Sequence, residues 1–98
     1  MITRNEAARL VRKELEGSDF VLIDRPIAES SYGWVFGYQS AKYLETGNFL
    51  DMLAGNAPFL VERKTGKLYE LGTSEPVEHY IENFLSSGDP HRRTPRLD

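Results

Sequence analysis

Apolar side chains recur at helical spacing near both ends of the chain and at strand-like spacing between them. Ala7, Leu10, Val11 and Leu15 fall on one face, with Arg9, Arg12, Lys13 and Glu16 on the others. This pattern predicts an amphipathic helix over about residues 4–16. Thr3-Arg4-Asn5-Glu6 opens it as a capping box and Gly17 supplies a stop. Phe20-Val21-Leu22-Ile23 is a short run of strand formers, ended by Pro26 and the Glu29-Ser30-Ser31 stretch. Tyr32 to Gln39 alternates, with Trp34, Phe36 and Tyr38 pointing one way and Val35 and Gly37 the other. The aromatic side reads as a core face, and Gly37 leaves the opposite side thin enough for a close approach. Pro58 to Glu62 and Leu68 to Leu71 flank a polar turn with Gly66 available for positive φ, which predicts a hairpin. Thr73-Ser74 offers an N-cap and Pro76 a first turn. The stripe Val77, Tyr80, Ile81, Phe84, Leu85 then predicts a second helix, ending at Gly88.

Residues 40–56 follow neither period. Ser40 to Glu45 reads as a sheet edge or a loop, and Thr46-Gly47-Asn48 as a turn. Phe49 to Ala54 has the makings of one or two helical turns, closed by Gly55-Asn56. Tyr43, Leu44, Phe49, Leu50 and Leu53 all call for burial, so the segment is expected to be a packed loop. The element order, with a helix at each end and four short strands between, points to the α+β class: a four-stranded antiparallel sheet with the N- and C-terminal helices packed on one face. Residues 1–88 form the expected single domain. Residues 89–98, with two prolines, three arginines and one leucine, read as a flexible C-terminal tail.

Composition narrows the function classes. The 98 residues carry no cysteine, which removes disulfides, thiolate nucleophiles and Cys-ligated metal sites. A 40% hydrophobic fraction and a mean hydropathy of -0.47 belong to an ordinary soluble domain. The first residues are charged, with no apolar run after them, and nothing approaches the length of a membrane helix, so a cytoplasmic protein is expected. The net charge is -3. Residues 1–88 hold nine basic against thirteen acidic side chains, a net of -4, and the last ten residues hold three arginines against two aspartates. The acidic excess sits in residues 29–88, favouring a basic partner and disfavouring nucleic acid.

No catalytic set emerges. His79 and His91 are the only histidines and lack metal-ligand spacing; His79, flanked by Glu78 and off the apolar stripe, reads as a surface residue, and His91 falls in the expected tail. There is no phosphate-cradling glycine motif. Glu75, Glu78 and Glu82 align on one helix face at i, i+3, i+7, which reads as a solvated face or an acidic docking surface rather than an acid–base pair. No cofactor or metal is implied, and no enzyme is expected. Tyr and Trp residues are in excess, and these types suit protein interfaces. Trp34 and Tyr80 read first as core, whereas Tyr32 and Tyr43 lie beside loops. The candidate binding residues are therefore Tyr32, Trp34, Tyr43, Glu45, Asn48, Asp51, Glu75, Glu78 and Glu82, with Gly47 to Asn56 as the segment suited to insertion into a partner. A free strand edge would permit a weak homodimer of an otherwise monomeric protein.

An ordered series of segments adds a resemblance. Tyr32-Gly33-Trp34-Val35-Phe36, Tyr43-Leu44-Glu45-Thr46-Gly47 and Leu53-Ala54-Gly55-Asn56-Ala57-Pro58 come first. Lys64-Thr65-Gly66-Lys67-Leu68-Tyr69 and Gly72-Thr73-Ser74-Glu75-Pro76-Val77 follow. Together they resemble the immunity protein 35 family, also described as YrhB-like domains, of bacterial polymorphic toxin systems. Trp34 matches that family's characteristic tryptophan and Gly72-Thr73-Ser74-Glu75 its G-x-x-E motif. The resemblance spans about residues 1–85. It implies a cytoplasmic antitoxin that binds and neutralises a cognate toxin, often one of papain-like peptidase or deamidase fold. It also implies a second possibility, a small heat-stable chaperone-like protein.

Overall fold

The structure is a computed structural model that describes residues 1–51 and 56–91. The α+β class holds, with antiparallel sheets and a helix near each end, but the strands divide into two sheets. Helix α1 spans Arg4–Glu14. Strands β1 (Phe20–Leu22), β2 (Ala28–Ser30), β3 (Gly33–Phe36) and β4 (Tyr38–Ser40) follow. Next come α2 (Ala41–Thr46), a 3-10 turn at Phe49–Asp51, the hairpin β5 (Phe59–Glu62) and β6 (Leu68–Glu70), and α3 (Val77–Ser87). A four-stranded sheet runs β2-β3-β5-β6 and a two-stranded sheet pairs β1 with β4.

The expected strand over residues 32–39 is thus two strands in two sheets, and the break is Gly37. Trp34 pairs with Val61 and Phe36 with Phe59 in the larger sheet, whereas Tyr38 pairs with Leu22 in the smaller. With no side chain, buried Gly37 lets Ile27 close over it; a Cβ there would lie 3.2 Å from the Ile27 Cδ1. Strand β2 has little strand-forming character of its own. It forms by pairing with β3, Glu29 opposite Trp34, a tertiary override of local propensity.

The helices lie on opposite faces of the larger sheet, correcting the expectation that one face carries both. Trp34, Phe36, Phe59 and Val61 pack with Ala7, Ala8, Val11 and Leu15 of the α1 region. Val35 and Leu60, the residues of opposite parity, pack with Leu71, Tyr80 and Phe84. The reason is the unbroken apolar runs Trp34-Val35-Phe36 and Phe59-Leu60-Val61: a sheet with one wet face alternates, and this one does not.

Helix α1 keeps its capping box. The Glu6 amide donates to the Thr3 hydroxyl at 3.2 Å and the Thr3 amide to the Glu6 carboxylate at 3.1 Å. Its buried stripe is Ala7, Ala8 and Val11, and Leu10, expected inside, is exposed beside the hairpin turn. Gly66 adopts φ 77° in that turn. Helix α3 begins at Pro76 without a side-chain cap, so the expected Thr73-Ser74 cap is not formed, and Leu85 faces outward. Asp89 to His91, the start of the expected tail, is docked. Pro90 is buried, its carbonyl accepts from the Asn83 amide at 3.2 Å, and the His91 Nε2–H donates to the Glu70 carbonyl at 2.6 Å. That geometry fixes the proton on Nε2.

Candidate partner-binding site

The larger sheet buries its apolar residues on both sides, but the segment after the smaller sheet does not. In α2 and the 3-10 turn, Leu44 is 51%, Phe49 79% and Leu50 91% exposed. This overturns the expectation of a packed loop at these three positions. Adjacent exposed apolar side chains make this segment a candidate contact surface.

The backbone that presents them is held by short-range bonds. Ser40 caps α2, its hydroxyl accepting from the Tyr43 amide at 3.3 Å. Gly47 ends the helix in the left-handed region at φ 68°, its amide donating to the Tyr43 carbonyl at 2.7 Å. The Thr46 hydroxyl donates to the Lys42 carbonyl at 2.9 Å and accepts from the Asn48 amide at 3.1 Å. The Asn48 side chain accepts from the Leu50 amide at 3.0 Å. Further on, Asn56 donates to the Tyr38 carbonyl at 2.9 Å and ties the returning chain to β4. Turn chemistry read as loop signals thus ties this exposed segment down with local hydrogen bonds.

The candidate residues scatter over the surface. Tyr43 is half-buried on α2, while Glu45 and Asn48 are exposed beside Leu44 and Phe49. Asp51 closes the 3-10 turn, its side chain lying outside the described residues, as do Met52 to Gly55 of the expected inserting segment. Glu75, Glu78 and Glu82 are exposed on and before α3. Tyr32 is half-buried beside an open cleft of about 530 Å³ that Phe84, Leu85 and Lys64 also line. Burial, and secondarily Glu29, pushes its hydroxyl pKa above the ordinary 10.0.

Trp34 does not belong on a binding surface, being 1% exposed. Its indole N–H donates to the Glu29 carboxylate at 2.7 Å, and the Arg63 guanidinium lies 4.4 Å from its ring centroid. Arg63 also donates to the Ser30 carbonyl at 3.1 Å. The tryptophan is thus the clasp that fastens β2 to β3. The G-x-x-E segment is structural in the same sense. Gly72 leaves the space that the Tyr80 phenol fills, and that hydroxyl meets the Ser74 hydroxyl at 3.0 Å and accepts from the Glu75 amide at 3.2 Å.

Sequence reasoning named the polar neighbours Tyr43, Glu45 and Asn48 but assigned Leu44, Phe49 and Leu50 to burial. The signal that separates the two outcomes is periodicity: these apolar residues sit between turn formers and share neither a helical nor a strand repeat. His79 faces the Asn83 amide at 3.3 Å and His91 the Glu70 carbonyl. Among the described residues no group of three or more His, Cys, Asp or Glu converges as a metal site. No described helix is long and apolar enough to cross a membrane.

The family model described as Immunity protein 35 matches residues 5–87. The Escherichia coli K12 protein entitled "Uncharacterized protein YrhB" is 33% identical over 84 residues, covering 86% of this chain and 89% of the relative. No solved structure matches the chain.

Proposed function

The chain belongs to the immunity protein 35 family, and from that premise we propose that it is a cytoplasmic antitoxin that binds and neutralises one cognate toxin without performing catalysis itself. The observation that carries this reading is the adjacent exposure of Phe49 and Leu50 on a projection braced by its own turn bonds. An exposed apolar pair near the polar residues Tyr43, Glu45 and Asn48 in sequence suits an interface centre, an apolar anchor with polar neighbours. A toxin of papain-like peptidase or deamidase fold offers a cleft into which such a projection fits. Glu75, Glu78 and Glu82 contribute at longer range. Helix α3 carries no lysine or arginine, so its acidic face would speed encounter with a basic partner and lose that effect in salt.

The experiment is co-purification with the toxin encoded beside this gene, followed by titration of a Phe49→Asp, Leu50→Asp double variant. The expected result is a stable wild-type complex and a loss of affinity of roughly 100-fold or more in the variant, with an unchanged melting curve. No complex at micromolar concentration overturns the antitoxin reading. A variant that binds as well as the wild type removes the projection from the interface. Suppression of aggregation of unrelated proteins at near-stoichiometric ratio, without toxin binding, would favour the chaperone-like reading, which the same exposed apolar surface also serves.

A further inference from the structure

The chain that leaves α3 folds back and bridges that helix to the edge of the larger sheet. Strand β6 is the end strand of that sheet. The Glu62 amide donates to the Lys67 carbonyl and the Leu71 amide to the Pro58 carbonyl, with Leu60 opposite Tyr69 between them. In an antiparallel ladder the alternate residues Leu68 and Glu70 therefore turn their backbone groups away from β5. The Glu70 carbonyl, outward-facing in this register, is the one that takes the His91 Nε2–H at 2.6 Å. The reversal that brings His91 there is built locally. Gly88 turns the chain at φ 79°, the Ser87 hydroxyl accepts from the Asp89 amide at 3.2 Å, and the Asp89 carboxylate accepts from the His91 amide at 2.8 Å.

The same three residues hold α3. Pro90 is fully buried, its carbonyl accepts from the Asn83 amide at 3.2 Å, and the His91 ring centroid lies 5.6 Å from that of Tyr80. This end of the helix is otherwise loosely covered. Leu85 is 62% exposed, and Phe84, Leu85 and Gly88 line the open cleft of about 530 Å³ beside Tyr32. The opposite end begins at Pro76 without a side-chain cap. Beneath α3 lies an apolar cluster of its own, Val35, Leu60 and Leu71 with Tyr80 and Phe84, separate from the cluster that α1 covers. Two clusters on opposite faces of one sheet can part at different free energies, and the element with the sparser cover opens first.

We propose that Asp89 to His91 form a latch, which clamps the C-terminal end of α3 to the outward Glu70 carbonyl and makes α3 a lid that opens apart from the rest of the fold once the latch is released. Opening bares Val35, Leu60 and Leu71, a second apolar surface on the sheet face away from α1. It also displaces Glu78 and Glu82, which α3 carries. The proposal is independent of the toxin reading and uses different residues from Phe49 and Leu50.

Native-state amide exchange of the full chain in rising, sub-denaturing urea tests it. His91→Phe keeps a ring beside Tyr80 but loses the N–H. It is expected to speed exchange of the α3 amides roughly 2- to 12-fold, the equivalent of one lost hydrogen bond, and to leave α1 and β3 unchanged. His91→Gln keeps a donor of similar reach and should restore the protection. Asn83→Ala should act like His91→Phe even though alanine favours a helix more than asparagine does, so a weaker helix cannot account for the change. Exchange in α3 should rise with urea, but less steeply than in α1, because the opening exposes only part of the buried surface. His91 is exposed and Asn83 half-buried, and melting curves verify that each variant folds. Four results would each overturn the proposal: α3 exchange unchanged in both His91→Phe and Asn83→Ala, equal acceleration in α1 and β3, a His91→Gln chain that behaves like His91→Phe, or α3 exchange indifferent to urea, which would mean that the helix frays without baring the face beneath it.

Discussion

Strands β3 and β4, one in each sheet, run into one another through Gly37, yet the two sheets are finished differently. The four-stranded sheet is covered on both faces, Trp34 and Phe36 by α1 and Val35 and Leu60 by α3. The two-stranded sheet is covered on one. Phe20, Tyr38 and Phe59 stack in a ladder with centroids 5.4 and 5.6 Å apart on the core side, while Val21 and Ile23 face outward and α2 carries Leu44 into solvent. Among the described residues, seven of the ten large exposed apolar side chains, Phe20, Val21, Ile23, Ile27, Leu44, Phe49 and Leu50, lie in this smaller unit and its connections. A small domain has little apolar surface to spare, so leaving these side chains uncovered forgoes stability. The difference separates two tasks: the larger sheet holds the fold, and the smaller one presents surface.

The largest effect that would break this division is on stability. Trp34→Ala removes a side chain that is 1% exposed, its bond to Glu29 and its contact with Arg63. The expected loss is about 3–5 kcal/mol, read by urea denaturation. Phe49→Ala with Leu50→Ala should change stability by no more than about 0.5 kcal/mol, as exposed substitutions do. A loss above about 1 kcal/mol from that pair would mean that the projection is part of the core, and the division would fail.

A middle-sized effect sharpens the account of the larger sheet. Gly72→Ala places a Cβ against the Tyr80 phenol, 2.8 Å from its Cζ, and must push that ring off the Ser74 and Glu75 contacts. Overpacking of this kind costs about 1–3 kcal/mol. Tyr80→Phe alone forfeits those hydroxyl contacts, about 0.5–1.5 kcal/mol. The double variant should cost less than the two together, because the hydroxyl that clashes is already gone. Strict additivity in denaturation midpoints would show that Gly72 serves something other than the Tyr80 niche.

How much of this was legible in the sequence follows the same line. The hairpin, both terminal helices and the α1 capping box were readable, because each rests on contacts within a few residues. Strand β2 was not, since Ala28-Glu29-Ser30 becomes a strand only by lying beside Trp34. The covering of both sheet faces was written in the unbroken run Trp34-Val35-Phe36, but Tyr32 to Gln39 also fits a period of two, which hides it. At the candidate site the turn residues Thr46, Gly47 and Asn48 were legible. The exposure of Phe49 and Leu50 was not, because an apolar residue is normally buried and only the finished surface shows which ones are left over. Trp34 illustrates the converse. Its type suggested an interface, and its place opposite Glu29 makes it a clasp.

The smallest effect compares the sheets through one tyrosine in each. Tyr38 lies in β4, and Tyr32 immediately precedes β3. Burial raises the hydroxyl pKa of both above 10.0, with Glu70 adding to the shift at Tyr38 and Glu29 at Tyr32. Well below pH 10 both groups are protonated whether the chain is folded or unfolded, so they contribute no pH dependence there. Between 10.0 and the raised folded values the folded state holds more protons than the unfolded one, and stability must fall as pH rises. Melting temperatures measured from pH 9 to 11 should therefore decline above about pH 10, and Tyr38→Phe and Tyr32→Phe should each flatten the decline. Tyr38 stacks between Phe20 and Phe59, where the sheets join. Its ionisation would place a charge in that aromatic ladder, loosening the smaller sheet where it is anchored to the larger. Amide exchange above pH 10, extrapolated to correct for intrinsic rates, should then rise in β1 and β4 before it rises in β3 and β5. Equal loss of protection across all four strands would mean that the two sheets open as one unit, and that their difference is confined to the surface.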